Sequence, residues 1–140
     1  MTELKCKDKV RSELKSRIKD LRTLWKHYCT GSEDPHPDLG EFHEYGLSID
    51  YVAPGTFADQ RYGYFRYQLS YGGPSDEFRF YLDDNLKCYR LEYWFLDWYD
   101  GAGITLKGRD LDLMLEIFEH FSDCGLIQAE RAKALQDASL

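Results

Sequence analysis

The sequence predicts one α+β domain spanning residues 1–140, in which a long N-terminal helix and two C-terminal helices pack on a four-stranded antiparallel meander sheet. Apolar residues recur at helical spacing at both ends of the chain and alternate with a period of two between them. The turns between the alternating segments are short, so neighbouring strands should pair antiparallel. A length of 140 residues is close to the commonest size of one domain.

The first predicted helix runs from Thr2 to about Tyr28. Thr2 is its expected N-cap, and Gly31 lies just past its end. One apolar stripe follows this helix at steps of three and four residues: Val10, Leu14, Ile18, Leu21, Trp25 and Tyr28. Residues 31–41 are rich in proline, glycine and acid and are predicted to form a loop.

Four strands follow, at residues 45–53, 62–71, 77–82 and 87–98. The turn signals between them include GGPSD, because glycine permits positive φ and proline fixes φ. The fourth strand is apolar on both faces, which is typical of an inner or doubly covered strand. The meander order nevertheless places it at an edge. The alternatives are that helices or the N-terminal segment cover its second face, that the strand order differs, or that a partner adds there.

Helical spacing returns between Asp110 and Phe121, and Gly125 is predicted to end that helix. A shorter helix is predicted over 126–140. The glycines of GAGITLKGRD (101–110) do not match a nucleotide-binding fingerprint. They predict a tight connection between the last strand and the helix.

The net charge of −7 is unevenly distributed. Residues 1–27 carry a balance of +5, whereas residues 28–140 carry −12. We therefore expect the body to repel nucleic acid, and the first helix to attract either nucleic acid or an acidic surface.

The composition also indicates the cellular compartment of the protein. No apolar run approaches the roughly 20 residues that span a bilayer, and the charged N-terminus lacks the apolar core of a signal peptide. Four dispersed cysteines without CxxC spacing support neither a disulfide framework nor a zinc framework. The sequence predicts a cytoplasmic protein with no membrane association and no cofactor.

Catalytic patterns are weak. His36 and His43 lie in an acid-rich loop that could share a metal ion, although a solvated loop explains them better. No cysteine or serine stands in a nucleophile motif. Asp97 and Asp100 point to opposite faces of a continuous strand, which disfavours acid–base work. We therefore expect no enzyme.

Three runs carry a resemblance: HPDLGEFHEYGLSIDYVAPGTF (36–57), YGGPSDEFRFY (71–81) and LEYWFLDWYDGAG (91–103) followed by a helix. They resemble small accessory proteins carried by plasmids and integrative elements, over about residues 1–125. The resemblance supplies no functional residue. It implies a role in blunting host defence, as antirestriction and anti-CRISPR proteins do, commonly by covering nucleic-acid-binding surfaces with acidic patches.

The leading hypothesis is a non-enzymatic protein that inhibits a host defence nuclease or nucleic-acid-binding complex through acidic and aromatic surface patches. Its partner would be a nucleic-acid-binding host protein. The expected partner-binding residues are Asp83, Asp84, Asp97, Asp100, Glu33, Asp34, Trp98 and Tyr99. The alternative is a nucleic-acid-binding or regulatory module that acts through the basic first helix, with contacts from Lys15, Arg17, Arg22 and Lys26.

Overall fold

The structure, a computed structural model, describes residues 5–98 and 100–138. The α+β class is confirmed, but the sheet has five strands, in the order β1-β2-β3-β4-β5 with antiparallel neighbours. The elements in chain order are α1 (Cys6–Cys29), α2 (Phe42–Tyr45), β1 (Ser48–Val52), β2 (Tyr64–Ser70), β3 (Ser75–Leu82), β4 (Cys88–Asp97), β5 (Asp100–Thr105), α3 (Gly108–Asp123) and α4 (Leu126–Ala138). Thr2, the expected helix cap, lies outside the described residues.

The fifth strand is the segment that the sequence analysis assigned to a connection, so the predicted number of four strands is wrong. Strand β5 pairs antiparallel with β4, and Gly103 lies directly opposite Trp94. A Cβ atom at position 103 would overlap the Trp94 ring. The glycines therefore make room for the large side chains of β4. Because glycine is depleted in strands, the same residues concealed β5 in the sequence.

The fifth strand explains why the second half of β4 carries apolar side chains on both faces. β4 lies between β3 and β5 and is an inner strand. Its core face carries Leu91, Tyr93 and Phe95, all buried. On the other face, Trp94 and Leu96 lie over Gly103 and Gly101 of β5 and are partly buried.

The core lies between one face of the sheet and helices α1 and α3. Ring stacking of Phe80 on Phe118, with centroids 5.0 Å apart, joins β3 to α3. Large, fully buried side chains of this core come from α1, the sheet and α3: Leu21, Leu24, Phe78, Phe80, Leu91, Tyr93, Met114 and Ile117. Each buried aromatic or aliphatic side chain of this kind contributes about 1.5–3 kcal/mol of hydrophobic stabilisation.

A buried carboxylate joins α1 to the sheet. Asp76 of β3 is on the core face and accepts hydrogen bonds from Nε (2.7 Å) and Nη2 (3.0 Å) of Arg17. The hydroxyl of Tyr93 donates to the same carboxylate at 2.7 Å, and Ser70 donates as well. Burial opposes the charge of Arg17, but hydrogen bonding to Asp76 prevails and raises the pKa of the guanidinium. The bidentate pair fixes the position of α1 on the sheet.

Candidate binding groove

The face of the sheet opposite α1 and α3 carries charged and aromatic side chains. Strand alternation places every second residue of β2, β3 and β4 on this face. The residues so placed are Tyr64, Arg66, Gln68, Glu77, Arg79, Tyr81, Arg90, Glu92 and Trp94. This set alternates cations, carboxylates and rings, in contrast to the apolar core face.

A groove with a volume of about 760 Å³ crosses this face. Its floor is formed by β3 and β4, and one wall is the loop of residues 57–62. The volume is in the range of pockets that hold small molecules or inserted side chains. Tyr64, Arg79 and Trp94 line it from the sheet.

The wall of the groove is organised by one side chain, that of Gln60. Its Oε1 accepts the backbone N–H of Phe57 at 3.0 Å, and its Nε2 donates to the carbonyls of Ala53 and Tyr62, each at 3.0 Å. These bonds hold Phe57 and Tyr62 at the rim, with 51% and 65% of their surface exposed. Tyr89 of β4 is 60% exposed and also lines the groove. The groove is therefore rimmed by three accessible aromatic rings.

Arg79 forms the centre of the floor. Its guanidinium carbon lies 4.8 Å from the ring centroid of Tyr64 and 4.3 Å from that of Trp94, which are cation–π distances. Its Nε donates to the buried carboxylate of Glu77 at 2.8 Å. Two rings and one carboxylate therefore hold the guanidinium in one orientation.

The second buried carboxylate of the floor is Glu92, directly opposite Arg79 in the β3–β4 ladder. It accepts the Tyr81 hydroxyl at 2.9 Å, the Trp94 indole N–H at 3.1 Å and a hydrogen bond from Arg90. Burial and the hydrogen bond to Glu92 raise the pKa of Tyr81 to about 12. Tyr81 therefore stays protonated at neutral pH and acts as a donor.

One polar group of the groove has no partner. The hydroxyl of Tyr64 is buried and makes no hydrogen bond to any described residue. Burial raises the pKa of this hydroxyl, so it remains a neutral donor. An unsatisfied buried hydroxyl is unfavourable, and a bound molecule that accepts a hydrogen bond from it would remove that cost.

The acidic residues expected to bind a partner occupy three separate places. Asp83 and Asp84 lie in the turn between β3 and β4, whereas Asp97 and Asp100 face each other at the other end of β4. Strand rise places these two pairs about 30 Å apart. The carboxylate of Asp83 is also occupied, because it accepts the backbone N–H groups of Asn85 (2.8 Å) and Lys87 (3.0 Å).

Asp100 supports the fold of the chain itself. Its carboxylate accepts the backbone N–H of Cys6, the first residue of α1, at 2.8 Å, and this bond lowers the pKa of Asp100. An anion at this end also favours the helix dipole. Trp98 is 86% exposed in the turn with a φ of 53°, and Tyr99 lies outside the described residues. Of the two aromatic residues in the predicted set, Trp98 is the one that the structure describes, and its side chain is exposed.

Glu33 and Asp34 lie in the loop after α1, both exposed. The carbonyl oxygen of Asp34 is 2.7 Å from Nε2 of His27, so this loop is tied to the end of the helix. The structure therefore does not combine the three predicted acidic sites into one patch.

The predicted contacts on α1 have different surroundings. Arg17 points inward to Asp76, and Arg22 is 3.3 Å from Asp110 in an exposed ion pair. Lys15 and Lys26 are exposed. A row of exposed cations at steps of four and three residues marks one helix face: Lys7, Arg11, Lys15, Lys19, Arg22 and Lys26. Over 19 residues this row is about 30 Å long.

The two loop histidines do not converge on a common site. Nδ1 of His36 accepts the backbone N–H groups of Asp38 and Leu39, each at 3.2 Å. Nε2 of His43 instead lies 2.9 Å from Nε2 of His120. Within residues 5–98 and 100–138, no group of three or more His, Cys, Asp or Glu is arranged to hold a metal ion.

Comparison with known proteins gave no assignment. No protein-family model, no curated protein and no solved structure matches this chain. In the part of the chain that the structure describes, none of the helices is both long and apolar enough to cross a bilayer.

The sequence analysis did not single out the groove. Its signal is the alternation of Arg or Glu with aromatic residues in YRLEYW (89–94) and EFRFY (77–81). This alternation predicted strands, but only the register shows that Arg79, Glu92 and Trp94 share one place on the sheet.

Proposed function

We propose that this chain is a non-enzymatic interaction protein that binds a protein partner through the groove on the open face of its sheet. The observation that carries the proposal is the fixed Arg79–Trp94 stack below the exposed rings of Phe57, Tyr62 and Tyr89. Tyr, Trp and Arg are the residue types that dominate the binding energy of protein interfaces. Preorganised side chains also lose little conformational entropy on binding.

The arrangement of the floor favours binding over catalysis. Glu77 and Glu92 are engaged by Arg79, Arg90, Tyr81 and Trp94, and each is held within a hydrogen-bond network. A general base needs a carboxylate within reach of a substrate proton. Glu92, with three internal hydrogen bonds, and Glu77, with one from Arg79, instead hold the floor of a binding surface in place.

As the partner, we propose a host defence nuclease or nucleic-acid-binding complex, as in the hypothesis from the sequence. The support is the resemblance to accessory proteins of plasmids and integrative elements. We propose the aromatic groove as the working surface in place of the acidic patches, because the predicted acids are dispersed and Asp83 and Asp100 have structural hydrogen bonds.

The test is plasmid or phage survival in cells that carry a panel of restriction and CRISPR systems. We expect the wild-type protein to raise survival against at least one system, and the double variant Tyr62→Ala/Tyr89→Ala to lose most of that effect. Tyr71→Ala is the matched control, because Tyr71 is 84% exposed and does not line the groove. Trp98→Ala tests the alternative that the partner binds at the turn between β4 and β5. Unchanged survival across the panel would contradict the inhibitor role.

A second candidate function is binding of a nucleic-acid backbone by the exposed row on α1. The specific observation is that six cations share one face, and of these only Arg22 forms an ion pair with a described residue. A row of lysines and arginines with free heads is suited to contact successive phosphates. Repulsion between the duplex and the acidic part of the chain, residues 28–140, would weaken this binding.

Binding of a fluorescent duplex DNA at several salt concentrations tests this second function. Lys15→Glu/Lys19→Glu should reduce affinity and lower the magnitude of the salt slope by about 2. Lys87→Glu/Lys133→Glu makes the same charge change at exposed positions outside α1. Equal losses in the two variants would indicate a general effect of net charge and would reject a site on α1.

A further inference from the structure

Glu92 is the buried carboxylate that lines the groove, and Glu77 lies outside the lining beside Arg79; both already accept hydrogen bonds from within the protein. Glu92 accepts from Tyr81, Trp94 and Arg90, and Glu77 accepts from Arg79. A ligand that offers only donors would therefore have to displace internal bonds, which is costly in a buried network.

The unused capacity of the floor consists of donors. Neither Nη1 nor Nη2 of Arg79 makes a hydrogen bond to a described residue, although Nε is engaged by Glu77. The Tyr64 hydroxyl also lacks a partner, and the Tyr64 ring lies against the same guanidinium. Arg61, exposed at the wall, forms no ion pair among the described residues. A molecule that supplies acceptors complements this floor.

From these observations, and resting on the proposed function, we infer that the partner inserts a carboxylate with an adjoining apolar or aromatic group into the groove. The two Nη groups of Arg79 form a fork that matches the two oxygens of a carboxylate. The exposed rings of Phe57, Tyr62 and Tyr89 provide a surface for the apolar group.

The formal charge of the groove-lining residues favours a ligand with one negative charge over a ligand with two. Arg61, Arg79 and Arg90 line the groove together with Asp59 and Glu92, a formal balance of +1. A carboxylate neutralises this balance. A phosphate dianion would leave an excess negative charge in the groove, close to the carboxylate of Glu77, which lies outside the lining and already pairs with Arg79. The inferred ligand class is thus an acidic peptide segment.

NMR titration of the full-length, ¹⁵N-labelled protein tests this inference with small probes. N-acetyl-phenylalanine offers the carboxylate and the ring, N-acetyl-phenylalaninamide lacks the charge, and phenyl phosphate carries the dianion. The reporter is the indole N–H of Trp94, with those of Trp25 and Trp98 as internal references, because neither lines the groove.

We expect N-acetyl-phenylalanine to shift the Trp94 signal in a saturable manner, at least tenfold more tightly than the amide. Tyr64→Phe keeps the ring and Arg79→Lys keeps the charge, and each should reduce that preference to less than threefold. Equal affinity for the acid and the amide, tighter binding of phenyl phosphate, or no shift of Trp94 with any probe would overturn the inference. The proposed function fails separately, when Tyr62→Ala/Tyr89→Ala retains the full survival effect.

Discussion

The ring of Trp94 lies against the backbone of Gly103 on the neighbouring strand, where any Cβ atom would overlap it. Gly103→Val should therefore destabilise the protein by about 1–3 kcal/mol, because the indole must leave its position beside Arg79. Urea unfolding measures the loss. In a Trp94→Ala background the same substitution should cost markedly less, and an equal cost in both backgrounds would contradict this contact.

The bidentate pair between Arg17 and Asp76 gives a second prediction. Arg17→Met leaves the carboxylate of Asp76 buried without its cation, so the free energy of unfolding should fall by about 3–5 kcal/mol. Thermal or denaturant unfolding measures this change. Arg22→Met is the matched control on the same helix, since its ion pair with Asp110 is exposed and should contribute at most about 1 kcal/mol. Similar losses in both variants would contradict the buried role of Arg17.

The contact between His120 and His43 predicts that the stability of the folded protein depends on pH. Burial first, and then the proximity of His43, lower the pKa of His120 below 6.5 in the folded protein. The unfolded chain then binds the proton more readily, so stability is full above pH 6.5 and falls as the pH is lowered through 6.5. Unfolding curves between pH 8 and pH 5 should show this fall, and His120→Asn should flatten it. Parallel profiles for the two proteins would reject the effect.

The four cysteines should differ in reactivity. Burial raises the pKa of Cys88 to about 11, and burial with the neighbouring Asp100 also raises that of Cys6, whereas Cys29 and Cys124 are exposed. At neutral pH the thiolate fraction of Cys88 should be lower by about 100-fold than that of a thiol at the ordinary value. Mass spectrometry after brief alkylation should find Cys29 and Cys124 labelled first. Similar rates at all four in the folded state would contradict the burial.

The elements that could be predicted from the sequence are those with a continuous period. The helical stripe from Val10 to Leu21 and the alternation around Tyr93 each encode one buried face, because burial of apolar area is the main driving force. Strand β5 could not be predicted in this way. The identity of Gly103 depends on the Trp94 ring on another strand, and a contact of that kind leaves no local period.

The groove could not be predicted from the sequence for a related reason. Arg79 and Glu92 are 13 positions apart and meet only through the β3–β4 register, while the wall depends on the side-chain bonds of Gln60. The charge balance of residues 28–140 counts every acid alike, whether it is buried, paired or exposed. Asp76 is buried with Arg17, and Asp50 pairs with Arg66 at 2.7 Å. Acid content along the chain therefore did not predict the charge of the open face.

Site-directed photocrosslinking in cells tests directly whether a protein partner binds in the groove. A photoreactive phenylalanine is placed at Tyr62, Tyr89, Tyr71 or Trp98, in cells whose defence system the wild-type protein inhibits. We expect positions 62 and 89 to crosslink to the same host protein, and positions 71 and 98 not to crosslink to it. Crosslinks from position 98 to that protein, with none from positions 62 and 89, would contradict binding in the groove.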